Sequence, residues 1–452
     1  MFQSGYFGIR LTNMKEEEYR RKAVGKDYYL YSSRHQKVFF SLPPQWSLAH
    51  FIESREDVPI PSVEQMAQEA LETPLEMASL KDLVSGAKKV AILVDDWTRP
   101  TPVADILQVL LPYLVRNGLA REKITIVIAL GTHVSLTQDE LVARVGSSTA
   151  SLYRIIQHDA WQHDLVPIPV PEDDRVVKIN PEVAQADVKI GMSSILPHPM
   201  AGFGGGPKIV VPGVSNFEFV MDHHMRHTIH PRSVAGLTKG NPFHESCLRS
   251  AQAVGLDFSI NCVYNQHGEV VRIIGGSLEA AFAGAVQAYY KTLGVRFEEK
   301  VDITITSTYP HTHGHQFCKG LAAPDSVTKE NGAILMLAPL EKPVSSEFVD
   351  SFDQLKDMVG ANPAEYVKEA MGQGKPFLAD KPVEFNMAMS TVILRPKIRT
   401  ILVSQMISEK EARTMGFDYA LSLEEGVRLL GSEYPDARVA IFPSGGLIIP
   451  MT

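Results

Sequence analysis

The segment with the clearest chemical potential is AGFGGGPK, which runs from Ala201 to Lys208. Its four glycines allow the backbone to approach an anion closely, and the amine of Lys208 adds a charge or a point of covalent attachment. An ATP-binding P-loop needs serine or threonine after the lysine, but Ile209 follows here. The segment matches the dinucleotide-binding pattern only partly and has no acidic residue for a ribose, so nicotinamide binding stays an alternative.

Two further loops combine residue types that could bind or move protons. The segment DDWTRPTP (Asp95–Pro102) carries Arg99, whose guanidinium can bind a carboxylate through two hydrogen bonds. Its prolines are equally typical of a helix start, so a functional and a structural interpretation have equal weight for this loop alone. His133 and His198 each follow an apolar run, where an imidazole could be acid, base or ligand, although a lone histidine is more often structural.

Histidines are concentrated in two places. The segment DHHMRH (Asp222–His227) is followed by His230, and on a helix His223 and His227 would share a face. A second set alternates as strand residues do and would point to one side: His311, His313 and His315. For the first segment metal binding outweighs coincidence by about two to one, and for the second set a solvated histidine-rich rim is the alternative. Imidazole ligands with few thiols indicate nickel, zinc, copper or iron.

The segment QFCK places Gln316 and Lys319 after the Tyr309-Pro310 loop. If this loop opens a second domain, both side chains would face Arg99 across a cleft. Two cations at one cleft indicate an anionic substrate. A surface lysine one turn into a helix is an equal alternative for Lys319 taken alone.

The elements that position these residues follow from hydrophobic patterning. Near-continuous apolar runs are typical of strands buried on both faces of a parallel sheet. These runs are Lys89–Asp95, Ile124–Leu130, Ile155–Gln157 and Val188–Ile195. Predicted helices separate them, so the sequence predicts a doubly wound α/β fold in which ligands bind beyond the carboxyl ends of the strands. The turn NQHG (Asn265–Gly268) predicts a hairpin between Phe258–Tyr264 and Val270–Ile274.

A chain of 452 residues exceeds what one core usually holds, so we expect two α/β domains with mostly parallel sheets. The predicted helix Leu278–Leu293 ends the first domain. Residues 1–293 would carry the cofactor-binding loops, and residues 294–452 would close over the substrate, with the active site in the cleft between them. The second domain contains its own predicted strands, at Ile303–Ser307, Ile334–Ala338 and Ile401–Ser404.

Composition excludes several classes of protein. The net charge of -8 and the pI of 6.0 argue against nucleic-acid binding, which needs a basic face. Three cysteines without CxxC spacing indicate neither a disulfide framework nor a thiolate zinc site. Residues 1–27 lack the apolar core of a secretory signal, and no run approaches the roughly 20 apolar residues of a membrane span. We therefore expect a cytoplasmic protein without membrane association.

In combination, DDWTRPTP, GTH (Gly131–His133), HPMAGFGGGPK (His198–Lys208), His224 and the QxxK of Gln316 and Lys319 resemble the nickel-dependent lactate racemase family. The order and spacing match over residues 28–452. The resemblance implies a nickel pincer nucleotide, pyridinium-3,5-bisthiocarboxylic acid mononucleotide nickel, tethered to Lys208 through a thioamide. It also implies that His224 supplies the protein ligand to nickel. The choice between His224 and its neighbour His223 stays open, and the spacing to Lys208 favours His224.

The resemblance implies roles for the other residues as well. His133 and His198 would be the paired acid and base. Three side chains would bind the substrate: Arg99, Gln316 and Lys319. Besides Lys208, the cofactor would be held by Asp96, Gly204, Gly205 and Gly206. The implied partners are a small 2-hydroxy acid and the enzymes that mature the cofactor, which are a pyridinium carboxylase, a sulfur transferase and a nickel insertase.

The implied activity is racemisation or epimerisation of a 2-hydroxy acid, with the α-hydrogen removed and returned as a hydride. Two substitutions at the expected pocket change its character: His315 stands where a tyrosine is expected in lactate-specific members, and Trp97 is bulky. We therefore expect a substrate larger or more polar than lactate. The alternatives are a zinc hydrolase built on His223, His227 and the run from His311 to His315, and a non-catalytic homologue that binds a small acid.

Overall fold

The structure is a computed structural model that describes residues 28–52, 59–77, 79–171, 175–360 and 362–451. The predictions made for residues 1–27 lie outside the described residues. The described chain forms two compact units. Unit 1 contains residues 28–52, 265–269 and 290–451, and unit 2 contains residues 59–264 and 270–289, without the gaps already named.

The described strands, in chain order, are β1 (Tyr28–Ser33), β2 (Gln36–Phe40), β3 (Ser47–Phe51), β4 (Val90–Asp95), β5 (Ile124–Ala129), β6 (Arg154–Gln157), β7 (Val166–Pro169), β8 (Val176–Ile179), β9 (Val188–Ser194), β10 (Pro197–His198), β11 (Gly202–Phe203), β12 (Phe258–Tyr264), β13 (Val270–Gly276), β14 (Gly294–Arg296), β15 (Val301–Ser307), β16 (Thr328–Leu337), β17 (Arg399–Val403), β18 (Asp418–Tyr419), β19 (Arg438–Phe442) and β20 (Ile449–Met451).

The described α-helices are Val63–Glu72, Leu80–Val84, Val103–Arg116, Gln138–Val145, Ser147–Leu152, Pro181–Ala184, Phe217–Thr228, Pro242–Val254, Leu278–Leu293, Ala322–Val327, Ser346–Val359, Pro363–Gly372, Val383–Ile393, Glu409–Thr414 and Leu423–Glu433. Shorter 3₁₀ turns occupy Arg121–Lys123, Gly206–Ile209 and Gly314–Leu321. Within the described ranges, none of the helices has both the length and the apolar character that crossing a bilayer requires.

Unit 2 is built on a six-stranded sheet in the order β13-β12-β9-β4-β5-β6. All its neighbours pair in parallel except β12 and β13, which form the predicted antiparallel hairpin. Strands β4, β5 and β9 are buried along their whole length, as their apolar sequences predict. The prediction of a mostly parallel α/β fold is confirmed.

The register of these strands aligns the loops that carry the candidate residues. Asp95 at the end of β4 pairs with Ala129 at the end of β5, and Val94 pairs with Met192 of β9. Parallel pairing puts all three carboxyl ends at one edge of the sheet. The loops that begin after Asp95, Ala129 and Ser194 therefore start side by side.

Unit 1 contains a second six-stranded sheet, which is parallel throughout, in the order β18-β17-β16-β15-β19-β3. Its edge strand β3 comes from near the amino terminus and pairs with β19. Tyr28 and Leu30 of β1 and Phe40 of β2 join the same core, beside Trp46. The predicted division grouped residues 1–293 together, whereas β1, β2 and β3 fold with the carboxyl-terminal strands because their apolar side chains are buried there.

The strand predicted at His311–His315 is wrong. Gly314 has a φ of +49°, which extended backbone does not allow, and a 3₁₀ helix begins there and runs to Leu321. The alternating histidines therefore do not line one face of a strand. The same turn carries Gln316 and Lys319, so it remains the segment of unit 1 with candidate functional residues.

A buried ion pair joins Arg395 to Asp325, which lies on the helix that directly follows this 3₁₀ helix. The Nε of Arg395 donates to both carboxylate oxygens of Asp325, at 3.0 and 2.9 Å, and the terminal nitrogen Nη2 of Arg395 is close to the same carboxylate. Nη1 of Arg395 donates to Oγ1 of Thr400 at 2.8 Å. Both charged side chains are almost fully buried, so each depends on the other for its charge to be tolerated.

We predict that Asp325→Ala lowers the free energy of unfolding by about 3 to 5 kcal/mol, because it leaves a buried guanidinium without a counter-charge. The double variant Asp325→Leu with Arg395→Met should recover most of this loss, because it removes both charges and keeps the volume apolar. Urea unfolding followed by fluorescence measures both. A double variant as unstable as the single one would contradict the prediction.

Candidate active site

The glycine-rich loop is held in shape by glycines that no other residue could replace without strain. Strands β10 and β11 form a short antiparallel pair, and the chain then turns through Gly205 and Gly206. Gly202, Gly205 and Gly206 all have positive φ. A Cβ on Gly202 would lie 2.1 Å from the carbonyl oxygen of Leu237, and one on Gly206 would lie 2.2 Å from the ring of Phe282. These glycines are required by the fold of the loop itself.

Gly204 differs from the other glycines of the loop. Its φ is not positive, and the nearest atom to a Cβ built on it would be the carbonyl oxygen of Leu196, 3.8 Å away. Neither backbone conformation nor packing within the described protein requires a glycine at this position. A Cβ here would make a single ordinary contact, so the backbone of Gly204 is less crowded than that of its neighbours and a bound group could approach it.

Lys208 follows this loop in the 3₁₀ turn Gly206–Ile209. Its Nζ lies 4.7 Å from the centroid of the Phe243 ring, and no described side chain forms a hydrogen bond or ion pair with it. Burial lowers the pKa of this amine to about 8; the nearby Cys247 thiol opposes the shift and the positive charge of Arg99 adds to it. Lys208 is therefore an amine that loses its proton unusually easily.

Three histidines surround the same aromatic ring. The ring of Phe243 is fully buried and lies 4.5 Å from the ring of His223, 4.9 Å from that of His224 and 5.9 Å from that of His198. With Lys208 on its face, Phe243 thus contacts four residues that the sequence indicated as functional. Sequence reasoning missed Phe243, although Asn241-Pro242 before it is typical of a helix start.

Hydrogen bonds distinguish the two adjacent histidines. Nδ1 of His224 lies 2.8 Å from the carbonyl oxygen of Val220, so it carries the proton and the lone pair is on Nε2, the form that binds metals. His223 is fully buried with Nε2 3.2 Å from the carbonyl oxygen of Phe243, and its Nδ1 has no hydrogen-bond partner. Burial, with the positive charges nearby, holds the pKa of His223 well below its usual value.

His133 and Asp96 form a close pair. Nδ1 of His133 lies 2.5 Å from Oδ2 of Asp96, and Oδ1 of Asp96 accepts hydrogen bonds from the backbone N–H and hydroxyl of Thr98. The Arg99 guanidinium donates to the Thr98 hydroxyl at 2.7 Å. Burial opposes ionisation of Asp96, but His133, Arg99 and Thr98 together hold its pKa well below its usual range. The carboxylate therefore fixes the His133 ring with Nε2 pointing away from it.

A buried arginine fixes the loop that carries Asp96 and Arg99. Arg144, from helix Gln138–Val145, forms an ion pair with the carboxylate of Asp95, and its Nε donates to the Asp95 carbonyl at 2.9 Å. It also donates to the carbonyl oxygens of Arg99 and Thr101. The Thr101 hydroxyl lies 2.6 Å from both Asp95 Oδ2 and the Ser194 hydroxyl. Sequence reasoning missed Arg144, because nothing near it in the chain indicates these partners.

His198 has the opposite hydrogen-bonding pattern to His133. Its Nδ1 accepts from the backbone N–H groups of Met200 and Ala201, at 3.3 and 3.1 Å. A neutral ring with an accepting Nδ1 carries its proton on Nε2. A neutral His133, with Nδ1 bonded to Asp96, thus keeps its lone pair on Nε2, whereas a neutral His198 carries its proton there.

The candidate residues of unit 1 lie on the 3₁₀ helix Gly314–Leu321. Nε2 of Gln316 lies 3.3 Å from Nε2 of His315, while Oε1 of Gln316 is buried without a hydrogen-bond partner. The His315 ring is 5.4 Å from the rings of both Phe348 and Phe385. The described residues contain no group of three histidine, cysteine or acidic side chains arranged to hold a metal, so His223, His227 and the run from His311 to His315 do not form such a group.

Comparison with known proteins shows similarity to lactate racemases. Residues 33–236 match the lactate racemase N-terminal domain. A lactate racemase from Thermoanaerobacterium thermosaccharolyticum is 25% identical over 396 residues, which cover 86% of this chain and 90% of that protein. A lactate racemase from Lactiplantibacillus plantarum is 27% identical over 398 residues, covering 86% of this chain and 91% of that protein.

Solved structures share the fold. The lactate racemase apoprotein from T. thermosaccharolyticum has a TM-score of 0.82 at 22% identity and covers 94% of this chain and 100% of that one. A protein from Thermotoga maritima has a TM-score of 0.61 at 20% identity, with coverage of 87% and 99%. The solved structures show that the chain has this α/β fold. The matches to lactate racemases in sequence indicate an enzyme of the isomerase class: residues 33–236 match the lactate racemase N-terminal domain, and the protein is lactate racemase-like.

We predict that Gly202→Ala and Gly204→Ala differ strongly in stability. The first forces a Cβ against the Leu237 carbonyl at positive φ and should cost about 2 kcal/mol or more, whereas the second should fold with little change. Urea unfolding of the two variants measures the difference. Equal stability of the two would show that Gly202 is not required by the loop.

The lowered pKa of Lys208 has a consequence for stability. The unfolded chain keeps the proton to its usual pKa of 10.5, but the folded protein releases it near 8, so the free energy of unfolding rises with pH between these values. Lys208→Met should therefore stabilise the protein prepared without cofactor at neutral pH, and the gain should vanish as the pH approaches 10.5. The exposed Lys178→Met is the control. A Lys208→Met protein less stable than wild type at neutral pH would contradict this.

Proposed function

We propose that the protein racemises or epimerises a 2-hydroxy acid and carries a nickel pincer nucleotide on Lys208. The observation that carries the proposal is the buried Lys208 amine over the ring of Phe243, with its lowered pKa and no acidic partner among the described residues. The lactate racemase relatives support the reaction class. The nature of the cofactor rests on the resemblance and on how well these residues suit it.

The residues at the loop fit a covalently attached nucleotide. An amine attacks a thiocarboxylate carbon only when neutral, and a pKa near 8 leaves roughly a tenth of Lys208 neutral at pH 7, against less than a thousandth for an ordinary lysine. Gly204, Gly205 and Gly206 would let the backbone approach the attached group. An acidic partner would have kept the amine protonated, and the described residues provide none in contact.

His224 suits the role of nickel ligand. The carbonyl of Val220 holds its proton on Nδ1, so Nε2 has the lone pair that a metal needs. A metal held mainly by the cofactor would need only one protein ligand. His223, which faces the carbonyl of Phe243 and the thiol of Cys247, is directed into the protein by these contacts.

When bound, the cofactor supplies an acceptor and donor for the α-hydride of the substrate. The proton of the substrate hydroxyl must leave at the same stage, because the carbon–oxygen bond becomes a carbonyl. His133 takes this proton at Nε2, held in orientation by Asp96. His198, with its proton on Nε2, would donate a hydrogen bond to the substrate oxygen. To take the hydroxyl proton from the substrate of opposite hand, His198 would first have to carry its own proton on Nδ1 instead, which gives up the two backbone hydrogen bonds there.

In this proposal the substrate carboxylate is bound by Arg99 and Lys319, with Gln316 as a further contact. In unit 2, Arg99 is held by Thr98 and by the Arg144 hydrogen bond to its carbonyl. In unit 1, Lys319 and Gln316 lie on one 3₁₀ helix. The buried Oε1 of Gln316 lacks a donor, which costs free energy unless a group such as the substrate hydroxyl supplies one.

The substrate side chain is proposed to be larger or more polar than that of lactate. His315, beside Gln316, contacts Phe348 and Phe385 and offers both an aromatic face and a polar nitrogen. Trp97 lies on the loop that carries Arg99. Maturation by a pyridinium carboxylase, a sulfur transferase and a nickel insertase would precede activity, since the chain itself supplies only the attachment point.

The test is to co-express the protein with these maturation enzymes and to screen 2-hydroxy acids for inversion of configuration. We predict that Lys208→Ala abolishes inversion, nickel content and the mass adduct together, while the matched exposed variant Lys178→Ala retains all three. Chiral chromatography, metal analysis and intact mass measure these.

Two results would overturn the proposal. A fully active Lys208→Ala protein would show that activity does not depend on a cofactor attached to Lys208. A protein that carries the adduct and nickel but inverts none of the acids would be a non-catalytic homologue.

A further inference from the structure

Phe243 is at the centre of the candidate site but belongs to none of its assigned roles. Its side chain is fully buried at the first turn of helix Pro242–Val254. One face of its ring is covered by the Lys208 amine, 4.7 Å from the centroid. The rings of His223 and His224 meet it nearly perpendicularly, at 80° and 82°.

The geometry of these contacts suits the charge distribution of an aromatic ring. The face of the ring is negative and attracts an ammonium group, while T-shaped contacts join an edge of one ring to the face of another. The described residues provide no carboxylate in contact with the amine of Lys208. The ring face is therefore a contact that favours the charged amine, and the nearby Cys247 thiol acts in the same direction.

Hydrogen bonds to both the backbone N–H and the backbone carbonyl of Phe243 fix the position of its ring. Oδ1 of Asn241 accepts from the N–H groups of Phe243 and His244, and Nδ2 of Asn241 donates to the carbonyl oxygens of Met200 and Leu237, each at 2.8 Å. Asn241 is completely buried. The start of the helix is thus tied directly to the residue that precedes the glycine-rich loop.

The backbone carbonyl of Phe243 is also hydrogen-bonded. It accepts a hydrogen bond from Nε2 of His223 at 3.2 Å. This places the helix that carries His224 against the same residue. Because the backbone N–H and carbonyl of Phe243 are both hydrogen-bonded, its ring has a fixed position. The ring can therefore fix the side chains that pack against it from the glycine-rich loop and from helix Phe217–Thr228.

We propose that Phe243 is a positioning residue that holds the Lys208 amine over its ring face, in the place from which the cofactor is attached. The purpose of this position rests on the proposed function, whereas the contact between ring and amine does not. The other groups that act electrostatically on Lys208 are Arg99, Cys247, His223 and His244. Arg99 repels the ammonium, so the ring acts against both burial and this charge.

The first experiment weakens the ring face without changing its shape. Mono-, di- and trifluorophenylalanine are incorporated at position 243 in protein made without maturation enzymes. Trace labelling of Lys208 with acetic anhydride over a range of pH, read by mass spectrometry, gives its pKa. We expect the pKa to fall stepwise, by up to about one unit, so labelling at neutral pH rises up to about tenfold.

The same series at Phe258, a buried ring of β12, is the control and should leave the pKa of Lys208 unchanged. A pKa that does not respond to fluorination at position 243, or responds equally at position 258, would overturn the contact. No cofactor or substrate enters this measurement. Failure of the proposed racemase function would therefore leave its result intact.

The second experiment tests the positioning role. In cells with the maturation enzymes, Phe243→Leu should reduce the fraction of Lys208 that carries the adduct severalfold, although loss of the ring makes the amine more easily neutral. Phe243→Tyr should restore the adduct. Intact mass gives the fraction, and circular dichroism confirms folding. A folded Phe243→Leu protein with a wild-type adduct fraction would refute the positioning role, and the fluorinated series remains the test if this variant does not fold.

Discussion

The parallel pairing of β4 with β5 and β9 is the constraint on which the site in unit 2 depends. The strands end at the same edge of the sheet, so the loops with Asp96, His133 and His198 begin next to one another although they are distant in sequence. Full burial of these strands fixes their register, because a slip by one residue would leave backbone groups unpaired and repack both faces. Apolar packing of β4, β5 and β9 thus fixes where the loops with the candidate residues begin.

Close placement of the loops does not by itself orient their side chains, and buried polar groups do this instead. Arg144 joins the side chain and carbonyl of Asp95 to the carbonyls of Arg99 and Thr101, so the loop after β4 has one conformation. Such groups are costly to bury unless all their hydrogen bonds are made, which makes the arrangement specific. Asn241 likewise holds the start of the glycine-rich loop, because its Nδ2 donates to the carbonyl oxygen of Met200.

Sequence patterns predicted the sheet of unit 2 well and parts of unit 1 poorly. Long apolar runs such as Val90–Asp95 identify buried parallel strands without knowledge of their neighbours. Strand β3 was missed because its half-buried residues gain their stability from pairing with β19, nearly four hundred residues later in the chain. The histidines from His311 to His315 alternate as in a strand, but the positive φ of Gly314 turns the backbone into a 3₁₀ helix.

By itself the sequence determined which chemical groups the protein has: the amine of Lys208, the glycines before it, the histidines and Arg99. Only the tertiary structure decided their states. The partner of each imidazole nitrogen comes from folded backbone or from another segment, as Asp96 does for His133 and the Phe243 carbonyl does for His223. Likewise the pKa of Lys208 is lowered by burial. Proton position and pKa depend on distances of a few ångströms, which no one-dimensional pattern specifies.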